Sequence, residues 1–228
     1  MSTLSLFPTA SRELSSAKSA LFADAPATKP GLNYMEKTSA SEVARKIEKD
    51  CRIIGLTRGQ FSLIDLIYSI LQRVGPSDVV VTTWSAGIKD ANTVRWMCDS
   101  SLIRSFCLIT DHSYKTRQKK YALALEDLFG KENIRTSEVH AKFVLIKSDS
   151  MYITIRASMN LNANRTCESF EIDENKEIYD FYNDWVVSTF GEMPKGFVAE
   201  SSVVDRALTR TFGNLQNQFA WQKQFSNE

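Results

Sequence analysis

Val139 to Glu168 reads V-H-A-K-F-V-L-I-K-S-D-S-M-Y-I-T-I-R-A-S-M-N-L-N-A-N-R-T-C-E. Two runs, His140 to Ile146 and Tyr152 to Ala157, are joined by a polar turn at Lys147 to Ser150, the pattern of two paired strands. Side chains on a strand alternate between faces, so this reading puts His140 and Lys142 on one side, with Phe143 and Leu145 alternating with Val144 and Ile146. An imidazole and an ammonium are thereby expected to converge. Past the second strand Ser158 and Asn160 stand two residues apart, adding a hydroxyl and a carboxamide, and Glu168 follows after a short loop. The set suits a phosphoryl group: a nucleophile, a cation for the equatorial oxygens and two neutral hydrogen-bonding groups.

Upstream, strand and helix patterns alternate. Ser39 and Glu42 have capping-box spacing ahead of a helix from about Ser41 to Cys51, and Ser62 and Asp65 repeat it ahead of a second helix with Leu63, Ile64, Ile67, Ile70 and Leu71 at helical period. Gly75 and Pro76 stop that helix. Strands are predicted at Arg52 to Thr57, Asp78 to Trp84, Phe106 to Thr110 and Ile134 to Thr136. Helices are predicted at Asp90 to Ser100, with Val94, Met97 and Cys98 inward, and at Tyr114 to Phe129, ending at Gly130. The alternation implies β-α-β crossovers and a three-layer α/β sandwich. Ligands in such sheets gather beyond the carboxyl ends of parallel strands, which marks Trp84, Ser85, Asp111 and His112 as rim residues. Downstream come an aromatic helix from Asn175 to Phe190, a break at Pro194 and Gly196, and a last helix from Ser201 to Gln222.

The chain has 228 residues, 43% of them apolar, enough for one domain with a full core, and no internal repeat is found. A net charge of +1 gives no broad basic surface, so any nucleic-acid binding has to come from a local patch. Lys115, Arg117, Lys119 and Lys120 are that patch; the plainer reading is a solvated helix face. Cys51, Cys98, Cys107 and Cys167 show no C-x-x-C pairing and lie in apolar patterns, which favours reduced core thiols in an intracellular protein and argues against a zinc site. No apolar run approaches the roughly 18 residues of a membrane span, and no secretory signal is evident, so a soluble, cytoplasmic protein is expected.

H-A-K followed by S-M-N resembles the H-x-K and G-S-x-N elements of the phospholipase D superfamily, phosphodiesterases that include lipases, nucleases and catalytically silent relatives. The runs H-A-K-F-V-L-I and R-A-S-M-N-L-N-A-N-R with a following Glu look most like a branch seen in phage and prophage proteins, which would put the chain in a host cytoplasm. The resemblance implies a phospholipase D-like three-layer α/β/α sandwich with a mixed central sheet over residues 38–190, preceded by an arm, 1–37, that orders against the domain or a partner, and followed by a helical extension, 191–228. It implies that His140 attacks phosphorus, that Lys142 and Asn160 hold the non-bridging oxygens with help from Ser158, and that Glu168 orients the imidazole; no metal or other cofactor is called for. One H-x-K is present where full-length phospholipases carry two, so two subunits would share one site as an isologous homodimer.

Three departures stand out. Lys147 occupies the position of a frequent Asp, with Asp149 displaced by two, and the spacer between the motif halves is longer than in compact nucleases. Ala157 stands where Gly is usual, which is penalised if the backbone there takes positive φ. Plainer readings remain beside these roles: Ser158 and Asn160 as turn caps, Glu168 as a surface acid, His112 as a structural or surface residue, and Tyr179, Phe181, Tyr182 and Trp185 as core or dimer interface. Three functions follow in order of preference: a metal-independent phosphodiesterase, foremost an endonuclease; a non-catalytic nucleic-acid-binding or phage-associated assembly module; and a phospholipase acting on lipid head groups.

Overall fold

The computed structural model describes residues 29–33, 39–162 and 166–197. Both capping boxes form as their spacing predicts. The Ser39 hydroxyl accepts from the Glu42 N–H and the Glu42 carboxylate from the Ser39 N–H at the head of α1 (Ala40–Arg45). Ser62 and Asp65 do the same for α2 (Leu63–Val74), which stops at Gly75, φ 84°. Helix α1 ends well short of the expected Cys51. The chain reverses at Asp50, φ 57°, whose N–H donates to the Glu174 carboxylate at 2.7 Å, and Cys51 already belongs to the sheet.

The described strands are β1 (Lys29–Asn33), β2 (Cys51–Thr57), β3 (Ser77–Thr83), β4 (Ile103–Asp111), β5 (Ile134–Ser137), β6 (Phe143–Lys147), β7 (Tyr152–Ala157) and β8 (Glu168–Glu174). They form one mixed sheet in the order β1-β2-β8-β7-β6-β3-β4-β5. β1 runs parallel to β2, and β3, β4 and β5 run parallel to one another; β6, β7 and β8 form an antiparallel meander set between these two groups. The ends of β2, β3, β4, β5 and β7 and the starts of β6 and β8 therefore share one end of the sheet.

Helices α1, α2, α3 (Ile88–Asp99) and α5 (Lys119–Phe129) cover one face, where Val43, Ile67, Val94, Met97 and Leu125 meet Val81, Leu108, Val144, Ile146, Ile155 and Ile172. Helix α6 (Lys176–Glu192) covers part of the other, with Tyr179 and Val186 packed among Ile109, Phe143 and Leu145. β6 thus alternates between the two cores as its sequence predicts, and the molecule is the expected three-layer α/β/α sandwich. Tyr182 and Trp185 both lie against the Phe143 ring. The alternation also explains β8, which the sequence reading missed. Phe170 and Ile172 enter the core, while the fully buried Asp173 carboxylate on the opposite face is ion-paired to Arg52 at 2.6 Å and to Arg156.

Three further expectations need correction. β6 begins at Phe143, not His140: its next partner across β3 would be Thr83, whose hydroxyl is engaged elsewhere. The predicted helix Tyr114 to Phe129 is interrupted at Gln118, φ −137° and ψ 47°, giving a four-residue α4 (Tyr114–Arg117) and then α5. Within the expected arm, Lys29–Asn33 is strand β1, ordered against β2; the rest of the arm lies outside the described residues. Cys51, Cys98 and Cys107 are half-buried and Cys167 is exposed, so none is a true core thiol. The predicted helix Ser201 to Gln222 lies outside the described residues.

Candidate active site

His140 sits in the connection that leads into β6. Its neighbours fix this connection. Val139 is buried against the α6-side core and its N–H donates to the Ser137 carbonyl at 2.9 Å; the Lys142 carbonyl accepts from the Ala157 N–H at 3.1 Å, continuing the β7 ladder by one rung. Between these anchors His140 is exposed, and among the described residues its ring makes no hydrogen bond. The Lys142 Nζ folds back to donate to the His140 backbone carbonyl at 3.0 Å, a contact with the main chain of His140 and not with its imidazole. Burial pushes the Lys142 ammonium below the ordinary lysine range, opposed by the negative charge of Glu168.

Ser158 and Glu168 meet each other. The Ser158 hydroxyl donates to the Glu168 carboxylate and accepts the Ser169 N–H at 2.9 Å, while the Ser158 N–H donates to the Ser169 carbonyl at 3.0 Å. A second Glu168 oxygen accepts from Thr166 at 3.2 Å. Ser158 thus has its proton committed within the β7–β8 connection. Ala157 closes β7 in extended conformation, and the described non-glycine residues with positive φ are Asp50 and Ser101, so an Ala at this position carries no backbone penalty.

Asn160 is tied to the end of β3. Thr83 Oγ1, fully buried, donates to the Ser85 carbonyl at 2.8 Å and, at 3.3 Å, to Asn160 Oδ1. Leu161 N–H reaches both Thr83 Oγ1 and the Ser85 carbonyl at 3.1 Å, and Gly87 N–H donates to the Leu161 carbonyl at 2.7 Å. The buried Tyr114 hydroxyl, bonded to the Ala86 carbonyl at 2.7 Å, braces the same loop, and burial pushes its pKa up to about 12. With its carbonyl oxygen engaged, Asn160 has its two amide N–H donors left for an anion. Thr83 and Tyr114 escaped the sequence reading because a hydroxyl at a strand end and an aromatic in a basic run carry no distinctive spacing.

The predicted rim residues lie at this end of the sheet. The half-buried Trp84 ring is 5.7 Å from the His140 ring, tilted by 59°, and the Arg117 guanidinium lies 3.7 Å from the Trp84 centroid. His112 stands one strand further along: its backbone N–H donates to the Ser137 carbonyl, and its Nδ1, 3.8 Å from the Asp111 carboxylate, is buried with no hydrogen-bond partner among the described residues. Asp111 accepts from the Ser113 N–H at 2.9 Å and from its hydroxyl. The basic run divides. Lys115 Nζ donates to the Phe197 carbonyl at 3.0 Å, Arg117 is held beside Trp84, and Lys119 and Lys120 are exposed at the start of α5. Among the described residues no three His, Cys, Asp or Glu side chains gather as a metal site, and no helix is long and apolar enough to cross a membrane.

No family model and no curated protein matches the sequence. Among solved structures, the chain is similar to a phospholipase D family member, Nuc from Salmonella typhimurium, at 9% identity and a TM-score of 0.45, over 64% of this chain and 98% of that one. It is similar also to NucT from Helicobacter pylori, at 13% identity and a TM-score of 0.46, over 63% of this chain and 99% of that one. At such identities neither likeness assigns an activity or a residue role to this chain.

Proposed function

We propose that this protein is a metal-independent phosphodiesterase of the phospholipase D type, an endonuclease that cleaves nucleic-acid phosphodiester bonds through a phosphohistidine. The observation that carries the reading is His140 itself, an exposed imidazole without a hydrogen bond among the described residues, held between Val139 and Lys142 at the end of the sheet where Asn160 is also anchored. In the first step a ring nitrogen of His140 forms a bond to phosphorus and the leaving oxygen departs, taking a proton from His140 of the partner subunit in a homodimer. In the second, that same imidazole takes a proton from water, the hydroxide attacks phosphorus, and the P–N bond breaks to release the phosphomonoester. Lys142 and the Asn160 amide stabilise the charge on the non-bridging oxygens, a contribution worth about 3 to 4 kcal/mol per donor in comparable sites. Glu168 acts through Ser158, holding the β7–β8 connection, and orients the imidazole when substrate is bound. Lys115, Arg117, Lys119 and Lys120 face the nucleic-acid backbone.

The Ser158–Glu168 pair favours a second reading. A hydroxyl and a carboxylate satisfied by each other serve a binding site that no longer turns over, a nucleic-acid-binding or assembly module. The two separate on incubation with plasmid DNA, single-stranded DNA and RNA in EDTA, beside His140→Ala. Cleavage by the parent alone, with an acid-labile phosphoenzyme, upholds the nuclease. Salt-sensitive binding without cleavage by the parent assigns the binding module. A monomer at micromolar concentration in sedimentation refutes the shared site.

A further inference from the structure

Of the described arginines, Arg52, Arg95, Arg104 and Arg156 are ion-paired to carboxylates. Arg73 and Arg135 donate to backbone carbonyls, Arg135 buried and also over the Phe190 ring, and Arg45 and Arg58 are exposed on the surface. Arg117 is different: it is exposed, immobilised and not ion-paired to any described residue. Its Nε donates to Ser113 Oγ at 2.9 Å, its Nη2 donates to the Trp84 carbonyl at 2.9 Å, and its plane lies 3.7 Å from the Trp84 ring centroid. Ser113 is itself fixed by Asp111, which takes both its N–H and its hydroxyl proton. A surface arginine ordinarily loses rotamer freedom when it binds an anion; here three contacts have already removed much of it. Three of its five N–H groups remain for a ligand.

The position of this cation is informative. Trp84 is the common neighbour of the two groups, its ring 5.7 Å from the imidazole centre and 3.7 Å from the guanidinium carbon, so the cation and the imidazole stand close to each other beside one indole. A fixed cation that shares a neighbour with the nucleophile is within the span of one nucleotide of it, the range in which a second phosphate of the same strand would lie. We infer that Trp84 and Arg117 form a subsite for the phosphate adjacent to the scissile one. The substrate is then a polynucleotide engaged through two consecutive phosphates, not an isolated diester such as a lipid head group. The inference rests on the reading of His140 as the nucleophile, which fixes where the first phosphate sits. Trp84 supplies the platform: its ring orients the guanidinium by stacking, an attraction of cation and π face that strengthens as water is excluded.

The test compares hydrolysis of bis(p-nitrophenyl) phosphate, which has one phosphorus, with that of a thymidine trinucleotide, which has two, by the parent, Arg117→Ala, Arg117→Lys and Trp84→Phe. The expected result is a drop of about tenfold in the ratio of kcat/KM for trinucleotide over small diester in Arg117→Ala, carried by KM. A smaller drop is expected in Arg117→Lys, which keeps the charge but loses the planar fork, and the least in Trp84→Phe, which keeps an aromatic face. Binding of a fluorescein-labelled oligothymidylate should lose about one unit of salt slope in Arg117→Ala. An equal loss on both substrates would assign Arg117 to positioning His140 and overturn the subsite. If the parent cleaves neither substrate, the nuclease reading fails and the subsite defined by the scissile phosphate fails with it; if the parent cleaves both and the salt slope of Arg117→Ala is unchanged, the subsite alone is overturned.

Discussion

Gly55→Ala adds one methyl group at the tightest place in the sheet. Gly55 in β2 is paired with Phe170 in β8, and a Cβ built on Gly55 would lie 2.3 Å from Phe170 Cζ, 2.7 Å from Cε1 and 2.9 Å from Cε2. Carbon atoms in ordinary contact sit about 3.5 to 4.0 Å apart, so the ring would have to withdraw by more than about 1 Å. It has little room. Phe170 is 1% exposed, stacks edge-on against Phe61 at 5.6 Å, and is paired on its other side with Ala157, the last residue of β7. Overpacking of this kind costs about 1 to 3 kcal/mol, and an immobile aromatic puts Gly55→Ala at the upper end. A loss of about 3 kcal/mol corresponds to a fall of roughly 6 to 12 °C in Tm for a domain of this size. The assay is urea denaturation of the parent, Gly55→Ala, Phe170→Leu and the double variant. Leu in place of Phe removes the ring atoms that clash, so the double variant should be more stable than the sum of the single losses by about 1 kcal/mol or more. Additive losses, or a Gly55→Ala variant within about 0.5 kcal/mol of the parent, would refute the claim that this glycine exists to admit the ring.

Three other perturbations test separate parts of the molecule. Asp173→Asn removes the buried charge that Arg52 and Arg156 share, and urea denaturation should show a loss of about 3 kcal/mol; an unchanged midpoint would mean those guanidiniums resolvate freely. Asp90, buried in the first turn of α3, has its pKa raised by burial and then by the charge of Asp65. Its carboxylate form is disfavoured in the fold, so its contribution to stability falls as pH rises from the ordinary carboxylate range through the raised value; Asp90→Asn should gain on the parent across that window, and a pH-independent difference would refute it. Burial lowers the Lys142 pKa, so cleavage should decline on the alkaline side below the ordinary lysine range, and Lys142→Arg should abolish that decline whatever activity it retains.

What could be read from the sequence was what depends on neighbours along the chain. Reciprocal caps at Ser39 and Ser62, the glycine stop at Gly75 and the alternation of Phe143 to Ile146 are decided within a few residues, and each formed as its spacing required. β8 was missed because Glu168, Glu171, Asp173 and Glu174 make it look solvated; Asp173 and Glu171 are met by Arg52 and Arg156 from strands more than a dozen residues away, and Glu174 by the Asp50 and Tyr152 N–H groups. The same division runs through the site. The motif residues on the rim, His140, Lys142, Ser158 and Asn160, were picked out by short spacings. The contacts that decide what each can do, Thr83 with Asn160 and Arg117 with Trp84, join segments 77 and 33 residues apart, which no periodicity reports.

The one site expectation with a wrong physical cause, a strand that includes His140, has its explanation in topology. β6 separates β7 from β3, yet the residues after β7 must reach the residues after β3: Leu161 bonds to Thr83 and Ser85, and its carbonyl takes the Gly87 N–H. That connection has to pass over the head of β6. β6 extends no further than the Thr82–Phe143 pair on its β3 side, where the hydroxyl of Thr83, the last residue of β3, holds the crossing segment, and on its β7 side only the Lys142 carbonyl gains a further bond. The chain before Phe143 is therefore released from the ladder and lifted off the end of the sheet, with Val139 pinning its other end in the α6-side core. A histidine within a central strand would be enclosed by two neighbours; one carried on this short, doubly anchored span is exposed and still fixed in place. The crossing that brings Asn160 to the rim is thus also what leaves His140 exposed there.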